Sequence, residues 1–338
     1  MLFLLPRKAQ TAPNKLMESL ANSIPGASVV YLRSAARSPR LSLSMRLFDA
    51  VLLIHGLAKL LVAMRSAPVK RLHSSCFLPD VVAALLSILF RGVSYSTTVH
   101  SCISAEYALN YKWFGRIVYR VHLRALRRFD LVVCVSEQVA RSLPDGLKKK
   151  VIYNAVDEKF FVVARWGVPR TTRRATRFLI VSALSPVKNV KLGITSFIEV
   201  AVDGDVLAVA GTGPCESELR SFAACRSDIS FLGQVNDVPS LFSSYDCLII
   251  PSLSEGFGLV FIEAMASGMP IVCLKLDIFV ELQKIVGFDG VVFADSERQF
   301  ARSLSQVRQL QLPLVPPDLS LFKYKKMIES YADVLYQC

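Results

Sequence analysis

No apolar run in the sequence is long enough to cross a membrane. A spanning helix needs about 20 apolar residues to cover about 30 Å of hydrocarbon. The apolar segment 81–90 stops at Arg91, and segment 47–64 is interrupted by Asp49 and Lys59. The short apolar block at the amino terminus has its basic residues after it, which is unlike a signal peptide. We therefore expect a cytoplasmic protein, either free or peripheral at the inner face of the cytoplasmic membrane.

The sequence also lacks cysteine and histidine pairs at the spacing that metal ligands have. The eight cysteines are scattered, without a C-x-x-C pair or a Cys/His pair at the spacing of zinc ligands. Cys134, Cys247 and Cys273 lie in apolar strand-like runs, where a reduced thiol behaves as a small hydrophobic side chain. The sequence thus predicts a reducing compartment and no metal site.

Disorder and repeat architectures are excluded by composition and pattern. Of the 338 residues, 52% are hydrophobic and only 20% are charged, which is unlike a disordered chain. No repeat with a period of about 20 to 50 residues is visible. The length predicts about two domains, each large enough to bury a core.

Strand-like and helix-like segments alternate along the chain, which is typical of parallel α/β sheets. In the first half the expected strands are Met1–Leu5, Ser28–Leu32, Ala50–Ile54, Val69–Leu72, Val93–Thr98, Leu131–Val135 and Val151–Tyr153. In the second half they are Phe178–Val181, Val206–Ala210, Ile229–Phe231, Cys247–Ile250, Ile271–Cys273 and Gly290–Phe293. Helices are expected at Asn14–Asn22, Pro79–Phe90, Trp113–Arg128 and Leu319–Tyr336.

A change in pattern and charge divides the chain. Segment 165–177 has no apolar periodicity and is expected to be a linker. Residues 1–165 carry 24 Lys and Arg against 9 Asp and Glu, whereas residues 166–338 carry 16 against 18. We predict two α/β domains, 1–165 and 166–318, with a ligand cleft between the carboxyl ends of their strands. The basic first domain is expected to face an anionic partner.

The segment from Pro251 to Cys273 carries the strongest motif. It reads as a strand end, a glycine-bearing turn at Gly256 and Gly258, an apolar helix and a new strand. Backbone N–H groups at a helix start bind phosphate without a charged side chain. A carboxylate nearby, such as Glu255 or Glu263, is suited to accept hydrogen bonds from sugar hydroxyls.

This motif, P-S-x-x-E-G-F-G-L-V-x-x-E-A-M-A-x-G-x-P, closely resembles the signature of glycosyltransferase family 4, which are retaining enzymes of GT-B fold. The resemblance implies that Glu263 holds the ribose hydroxyls of a nucleotide-sugar and that Glu255 holds the transferred sugar. It also implies that the backbone amides of Phe257, Gly258 and Leu259 hold the phosphate.

Other segments extend the resemblance over most of the chain. Segment 181–189 resembles the family's first donor-domain loop, in which Lys188 matches one member of a basic pair that meets the donor diphosphate. Ala183 stands where the family usually has arginine. Gly211 and Gly213 resemble a strand-end turn of the donor domain, and Gly233 lies in the segment that resembles the loop contacting the nucleotide base.

In the first domain, Ser136-Glu137 and segment 151–157 resemble the family's entry between domains, with Ala155 in place of glycine. His100 ends a strand where family members place a histidine close to the transferred sugar, and His73 is a weaker candidate. Loop 6–15 lacks the glycine pair that many members have. By resemblance, the carboxyl-terminal helix, 319–338, packs back onto the first domain.

Basic residues recur every four positions along the helix predicted at Trp113–Arg128. A solvated face and adsorption to anionic lipid both remain open, and lipid is favoured over nucleic acid because acceptors of such enzymes are often lipid-linked. Nucleic acid is not expected, because no recognition helix or RNA-stacking motif is present. The basic row consists of Lys112, Arg116, Arg120, Arg124 and Arg128.

We therefore predict a retaining, metal-independent GT-B glycosyltransferase with His100 and Glu255 as catalytic residues. It is expected to use a nucleotide-sugar as substrate, with no cofactor, in the assembly of a bacterial surface polysaccharide such as O-antigen, lipopolysaccharide or capsule. The base (UDP, GDP or dTDP), the sugar and the acceptor stay open. Two alternatives remain: a sugar-nucleotide epimerase, and a non-catalytic or weakly active relative that serves as an assembly partner, which Ala183 and the missing glycine pair would favour.

Overall fold

A computed structural model describes residues 1–7, 12–33, 43–66, 69–162, 175–309 and 316–337. They form two compact units, one of residues Met1–Asn154 with Lys325–Cys338 and one of residues Ala155–Tyr324.

The division after Asn154 precedes the boundary predicted at residue 165. Ala155, Val156 and Phe160 are buried, and the Phe160 ring lies 5.4 Å from that of Phe242 in the second unit. The chain therefore joins the second core before the predicted linker, and residues 165–174 of that linker lie outside the described residues.

The first unit contains a six-stranded parallel sheet in the order β2-β1-β3-β4-β5-β6. Its strands are β1 Leu2–Arg7, β2 Ser28–Arg33, β3 Arg71–Ser75, β4 Ser94–Val99, β5 Leu131–Cys134 and β6 Lys149–Val151. Its helices are α1 Ala12–Ser23, α2 Leu43–Ser66, α3 Phe77–Leu89, α4 Ile103–Tyr111, α5 Gly115–Leu126 and α6 Glu137–Ser142. The last strand lies earlier than the prediction at 151–153.

One predicted strand is wrong, because Ala50–Ile54 lies inside the 24-residue helix α2. A short apolar run does not distinguish a buried strand from a helix. Gly56 permits close packing of α2 on β2, since a Cβ there would lie 2.5 Å from the Leu32 carbonyl oxygen. The helix predicted at Trp113–Arg128 begins as a 3₁₀ turn at Lys112–Phe114 and continues as α5.

The second unit contains another six-stranded parallel sheet, in the order β12-β11-β10-β7-β8-β9. Its strands are β7 Arg177–Val181, β8 Val206–Ala210, β9 Ile229–Gly233, β10 Cys247–Ile250, β11 Ile271–Leu274 and β12 Val291–Ala294. Its helices are α7 Lys159–Val162, α8 Val190–Val200, α9 Glu216–Phe222, α10 Val238–Ser244, α11 Leu259–Ala266, α12 Asp277–Val286 and α13 Phe300–Gln306. β7, β8, β10 and β11 are mostly apolar and buried, as expected for strands covered by helices on both faces.

The last helix, α14 Tyr324–Gln337, follows a 3₁₀ turn at Ser320–Phe322. Its Tyr331 is fully buried, and the Tyr331 hydroxyl lies 3.0 Å from Oγ1 of Thr98 on β4. Arg71 on β3 donates to the Tyr336 carbonyl oxygen at 2.7 Å. Residues 325–338 thus belong to the first unit.

The described part of the chain holds no helix with both the length and the apolar character that a membrane span requires. The seven cysteines described are all free thiols.

Candidate active site

Loops that follow β7, β8, β9 and β10 come together in the second unit. The N–H of Leu184 donates to the Thr212 carbonyl at 3.0 Å, and the N–H of Gly211 donates to the Gly233 carbonyl at 2.7 Å. The N–H of Leu253 donates to the Val187 carbonyl at 2.9 Å. These four strands are adjacent and parallel, so their carboxyl ends share one edge of the sheet. The strand order reverses at β7, where open α/β sheets bind ligands.

Two glycines allow this close approach of loops. Gly211 has φ +132°, and a Cβ there would lie 1.8 Å from the Ser182 carbonyl oxygen. A Cβ at Gly213 would lie 2.4 Å from the Leu184 carbonyl oxygen. Any side chain at either position would therefore push the loop after β8 away from the loop after β7.

Helix α11 begins at Leu259 with Gly258 as its N-cap, in the left-handed region at φ +73°. A Cβ at Gly258 would lie 2.6 Å from Cε1 of Phe279, so both the turn and the packing require glycine. Phe257, immediately before it, is buried. The start of α11 therefore presents a positive helix end at the same edge of the sheet.

Lys188 and Glu255 form an ion pair in which Nζ lies 2.6 Å from Oε1. Lys188 ends a 3₁₀ turn at Pro186–Lys188, and Glu255 lies in the loop before α11. The Glu255 side chain is 9% exposed and that of Lys188 is 26% exposed. The structure thus brings Lys188, which is predicted to bind the diphosphate, into direct contact with Glu255, which is predicted to bind the transferred sugar.

Glu263 lies on α11 and is partly buried. Burial and, to a lesser extent, the negative charge of Asp157 together raise the pKa of Glu263 to about 7. Because a buried carboxylate needs hydrogen-bond donors, ribose hydroxyls would suit this position. Asp157 lies in the motif segment 151–157, but its effect on Glu263 was not predicted from the sequence.

Other polar groups near these loops were also missed. Oγ of Ser182 and Nδ2 of Asn189 are buried and have no hydrogen-bond partner among the described residues. Both flank the loop that carries Lys188. Neither residue type signals a site by itself, because serine and asparagine are common in loops.

His100 lies in the first unit, directly after β4. Its Nε2 lies 2.9 Å from Oγ of Ser75 at the end of β3, and its buried Nδ1 has no partner among the described residues. Burial lowers the pKa of His100 to about 4, so the ring is neutral at pH 7. It is therefore a neutral imidazole with one nitrogen available.

The other histidines of this unit differ from His100. Both nitrogens of His73 are bonded, Nδ1 to Ser96 at 2.8 Å and Nε2 to Thr98 at 2.9 Å. His122 bonds Asp80 at 2.8 Å and Tyr107 at 2.7 Å. His73, the weaker candidate, and His122 are thus buried side chains with both nitrogens engaged, whereas His55 is exposed.

The predicted site residues fall into two groups. His100 stands in the first unit. The second unit holds the rest at the carboxyl edge of its sheet and on α11, namely Lys188, Gly211, Gly213, Gly233, Glu255, Phe257, Gly258, Leu259 and Glu263. Their assigned roles stay predictions.

No group of three or more His, Cys, Asp or Glu side chains suited to a metal occurs in the described ranges. The sequence does contain one Asp-x-Asp pair, Asp203 and Asp205, just before β8 and thus at the opposite edge of the sheet. Asp205 is buried and accepts hydrogen bonds from the N–H groups of Thr176 and Val202 and from Arg308. Asp205 therefore stabilises the fold of the second unit.

Exposed residues on and near α5 and α3 of the first unit are both basic and apolar. Arg116, Arg120 and Arg124 of α5 are exposed, as are Ile117 and Val121 beside them. Trp113 is 81% exposed. Helix α3 packs against α5, and its Leu89 is 72% exposed.

Family models match most of the chain. Residues 175–309 match a model described as Glycosyl transferases group 1, and residues 23–160 match a model described as Glycosyltransferase Family 4.

Curated relatives are similar over parts of their length. The chain is 26% identical over 208 residues to the O-antigen chain mannosyltransferase RfbU of Salmonella typhimurium, covering 58% of this chain and 56% of the relative. It is 24% identical over 230 residues to the O-antigen biosynthesis glycosyltransferase WclY of Escherichia coli, covering 64% and 65%. It is 27% identical over 206 residues to an Escherichia coli UDP-Gal:alpha-D-GlcNAc-diphosphoundecaprenol alpha-1,3-galactosyltransferase, covering 55% and 50%. The chain thus spans between half and two thirds of these relatives.

Solved structures resemble the whole chain. Anabaena HepE in complex with UDP-glucose has a TM-score of 0.74 and 18% identity, covering 100% of this chain and 99% of that one. The lipopolysaccharide biosynthesis glycosyltransferase WaaG has a TM-score of 0.68 and 12% identity, covering 98% and 95%. These likenesses confirm the predicted fold class, two Rossmann-like α/β domains of GT-B type. The cleft between the domains stays a prediction.

Proposed function

This chain belongs to Glycosyltransferase Family 4, and we propose that it transfers a sugar from a nucleotide-sugar to a saccharide acceptor. The observation that carries the proposal is the Lys188–Glu255 pair beside the glycine N-cap of α11, with Glu263 on the same helix. This arrangement offers a cation, a positive helix end and two carboxylates at the ligand-binding edge of one sheet.

Each part of a nucleotide-sugar has a matching group in the second unit. Lys188 and the amides of Phe257, Gly258 and Leu259 bind the diphosphate, and Glu263 binds the ribose hydroxyls. Glu255 binds the transferred sugar. Gly211 and Gly213 keep the loop after β8 close to that after β7, and the loop after Gly233 contacts the base.

Donor binding changes the partner of Lys188. The ammonium group that now bonds Glu255 is shared with the diphosphate, which frees carboxylate lone pairs of Glu255 for sugar hydroxyls. The ion pair therefore keeps both side chains in place before the donor arrives. This prior orientation reduces the entropy that binding would otherwise cost.

The proposed reaction breaks the bond between the anomeric carbon and the diphosphate and forms a bond from that carbon to an acceptor oxygen. Charge develops on the departing diphosphate, where Lys188 and the start of α11 stabilise it. This pair of positive groups supports a metal-independent reaction. Retention of configuration is proposed from family membership, and His100 is placed as a neutral hydrogen-bonding group for the sugar or acceptor.

We propose a lipid-linked saccharide of a bacterial surface polysaccharide as the acceptor. The support is that relatives are named as O-antigen and diphosphoundecaprenol-linked transferases. A lipid-linked acceptor also suits a basic first domain, and we propose that the protein works at the inner face of the cytoplasmic membrane.

Anionic lipid is the proposed partner of α5 and α3. The exposed arginines of α5 attract anionic head groups, with about 1 kcal/mol for each basic residue near the surface. The exposed Trp113 and Ile117 add interfacial contact, and Leu85 and Leu89 on α3 add apolar area next to them. An arrangement of basic and apolar side chains is typical of a surface that adsorbs to a membrane without crossing it.

The function is tested by incubating the purified full chain with a panel of labelled UDP-, GDP- and dTDP-sugars, with and without lipid extracts that contain saccharide acceptors. We expect one donor class to be consumed and label to appear in the lipid fraction. Isomerised sugar without acceptor would instead indicate an epimerase. If no donor is bound or consumed, the assembly-partner alternative holds.

A further inference from the structure

The environment of His100 includes a residue that the proposed function does not use. Ser75 ends β3, and its side chain is fully buried. Its hydroxyl lies between two groups, Nε2 of His100 at 2.9 Å and Sγ of Cys76 at 3.6 Å. Ser75 is therefore the direct neighbour of the predicted catalytic histidine.

Whether Nδ1 of His100 carries a hydrogen depends on whether the Ser75 hydroxyl donates to Nε2 or accepts from it. A neutral imidazole has one N–H and one lone pair, and the bond made by one nitrogen decides the state of the other. If Ser75 donates to Nε2, the ring hydrogen stands on Nδ1. If Ser75 accepts from Nε2, Nδ1 keeps only its lone pair.

Cys76 decides between these two directions. A thiol sulfur is a weak acceptor, whereas an imidazole nitrogen is a good one, so the serine hydrogen belongs on the histidine side. Burial raises the pKa of Cys76 to about 11, which keeps its hydrogen at pH 7. The thiol then donates to Ser75, and Ser75 donates to His100.

Nδ1 of His100 is the end of this chain of hydrogen bonds. It is buried and has no partner in the ranges that the structure describes. A buried N–H without a partner is costly, and such groups persist in proteins where a ligand supplies the acceptor.

We propose that Ser75 is a positioning residue, which donates to Nε2 of His100 and so makes Nδ1–H a hydrogen-bond donor to a sugar or acceptor oxygen. The proposal rests on the proposed function for the identity of that oxygen. It assigns His100 as a donor and excludes its use as a general base through Nδ1.

The tautomer is measured directly by NMR of the full chain labelled with nitrogen-15 histidine. The chain has only four histidines, and the His100 signals are identified by their loss in His100→Gln. At pH 7 we expect Nε2 of His100 to be unprotonated and Nδ1 to carry the hydrogen. A hydrogen on Nε2 in the unchanged protein overturns the proposal.

Substitutions then separate positioning from folding. Ser75→Ala is expected to move hydrogen onto Nε2 and to lower the transfer rate by about fivefold, the value of one hydrogen bond. Cys76→Gly suits the backbone, because Cys76 has φ +77° and ψ 161°, a region that favours glycine, and by removing the thiol that donates to Ser75 it is expected to shift part of the ring hydrogen onto Nε2. The control is Ser87→Ala, which removes a hydroxyl bonded to its own helix.

The results distinguish this proposal from the proposed function. An unchanged tautomer in Ser75→Ala, or a changed tautomer with transfer equal to that of Ser87→Ala, overturns the positioning role. If no nucleotide-sugar is consumed at all, the proposed function fails, while the ring spectrum still tests the Ser75–His100 bond.

Discussion

At the scale of single residues, the proposed donor site is tested through the charge of Lys188. Lys188→Ala removes a cation from the proposed diphosphate site and leaves the carboxylate of Glu255, which is 9% exposed, without its partner. A hydrogen bond to a charged group contributes about 1.5 to 3 kcal/mol, so we expect nucleoside diphosphate affinity to fall by about tenfold to a hundredfold. Titration calorimetry measures this change.

Lys191→Ala is the matched control. Lys191 forms an exposed pair with Glu218 at 3.1 Å, in the same unit but on the surface of α8. Its removal changes the net charge equally and is expected to alter affinity by less than about twofold, because exposed pairs contribute little. Equal losses in both variants would show a general charge effect and contradict the role of Lys188.

Glu263 gives a prediction on stability. The pKa of Glu263 rises from 4.5 to about 7 on folding through burial and the charge of Asp157, so the folded protein binds this proton more tightly than the unfolded chain does. Its contribution to the free energy of unfolding is therefore fully present below pH 4.5 and is lost as the pH rises to about 7, a change of about 3 kcal/mol.

Glu263→Gln removes this titration. Relative to the unchanged protein, the variant is expected to gain stability between pH 5 and pH 8, measured as the difference in urea unfolding free energy at each pH. A difference that stays constant across this range would show that Glu263 does not titrate as the structure indicates.

Among the elements, the loop between β7 and α8 departs most clearly from the family pattern. Ala183 is exposed and stands where arginine is usual, so a longer side chain has room there. We expect Ala183→Arg to raise nucleoside diphosphate affinity by about tenfold, because a guanidinium adds a charge-assisted contact. Ala183→Gln, which adds length without charge, is the control. If both variants bind equally, the diphosphate does not lie beside this loop.

Helix α5 gives the prediction for lipid. Arg116, Arg120 and Arg124 changed together to Ala are expected to lose most co-sedimentation with anionic vesicles, and binding of the unchanged protein should weaken with salt. The control changes three exposed basic residues of the second unit, Lys284, Arg298 and Arg302, to Ala. Equal loss in both triple variants, or equal binding to neutral vesicles, contradicts the assignment to α5.

The accuracy of the sequence predictions differed among elements for physical reasons. β8 and β10 were predicted with their observed bounds, because buried parallel strands are short, continuous apolar runs. Ala50–Ile54 was assigned the wrong structure because a short apolar run has no period of its own. The run is helical because it lies inside the 24-residue helix α2, which packs on β2.

At the scale of the whole molecule, the motif identified the second-unit residues but not their contacts. Glycines at 211, 213 and 258 could be named from sequence, since each stands in a recognisable turn. The Lys188–Glu255 pair, the effect of Asp157 on Glu263 and the Ser75–His100 bond join residues far apart in sequence, and only the fold brings them together.

The two units also differ in the density of motif residues and in charge. The second carries the dense motif and a nearly neutral charge. The first carries most of the basic excess and few motif residues. We therefore expect donor binding to be retained in those variants of the first unit that impair transfer to the acceptor.

The most direct measurement is a crystal structure of the full chain with whichever of UDP, GDP or dTDP binds most tightly. We expect phosphate oxygens within hydrogen-bond distance of Lys188 Nζ and of the amides at the start of α11, and ribose hydroxyls within hydrogen-bond distance of Glu263. Nucleotide bound at another place, or Glu263 without contact to the ribose, would contradict this expectation.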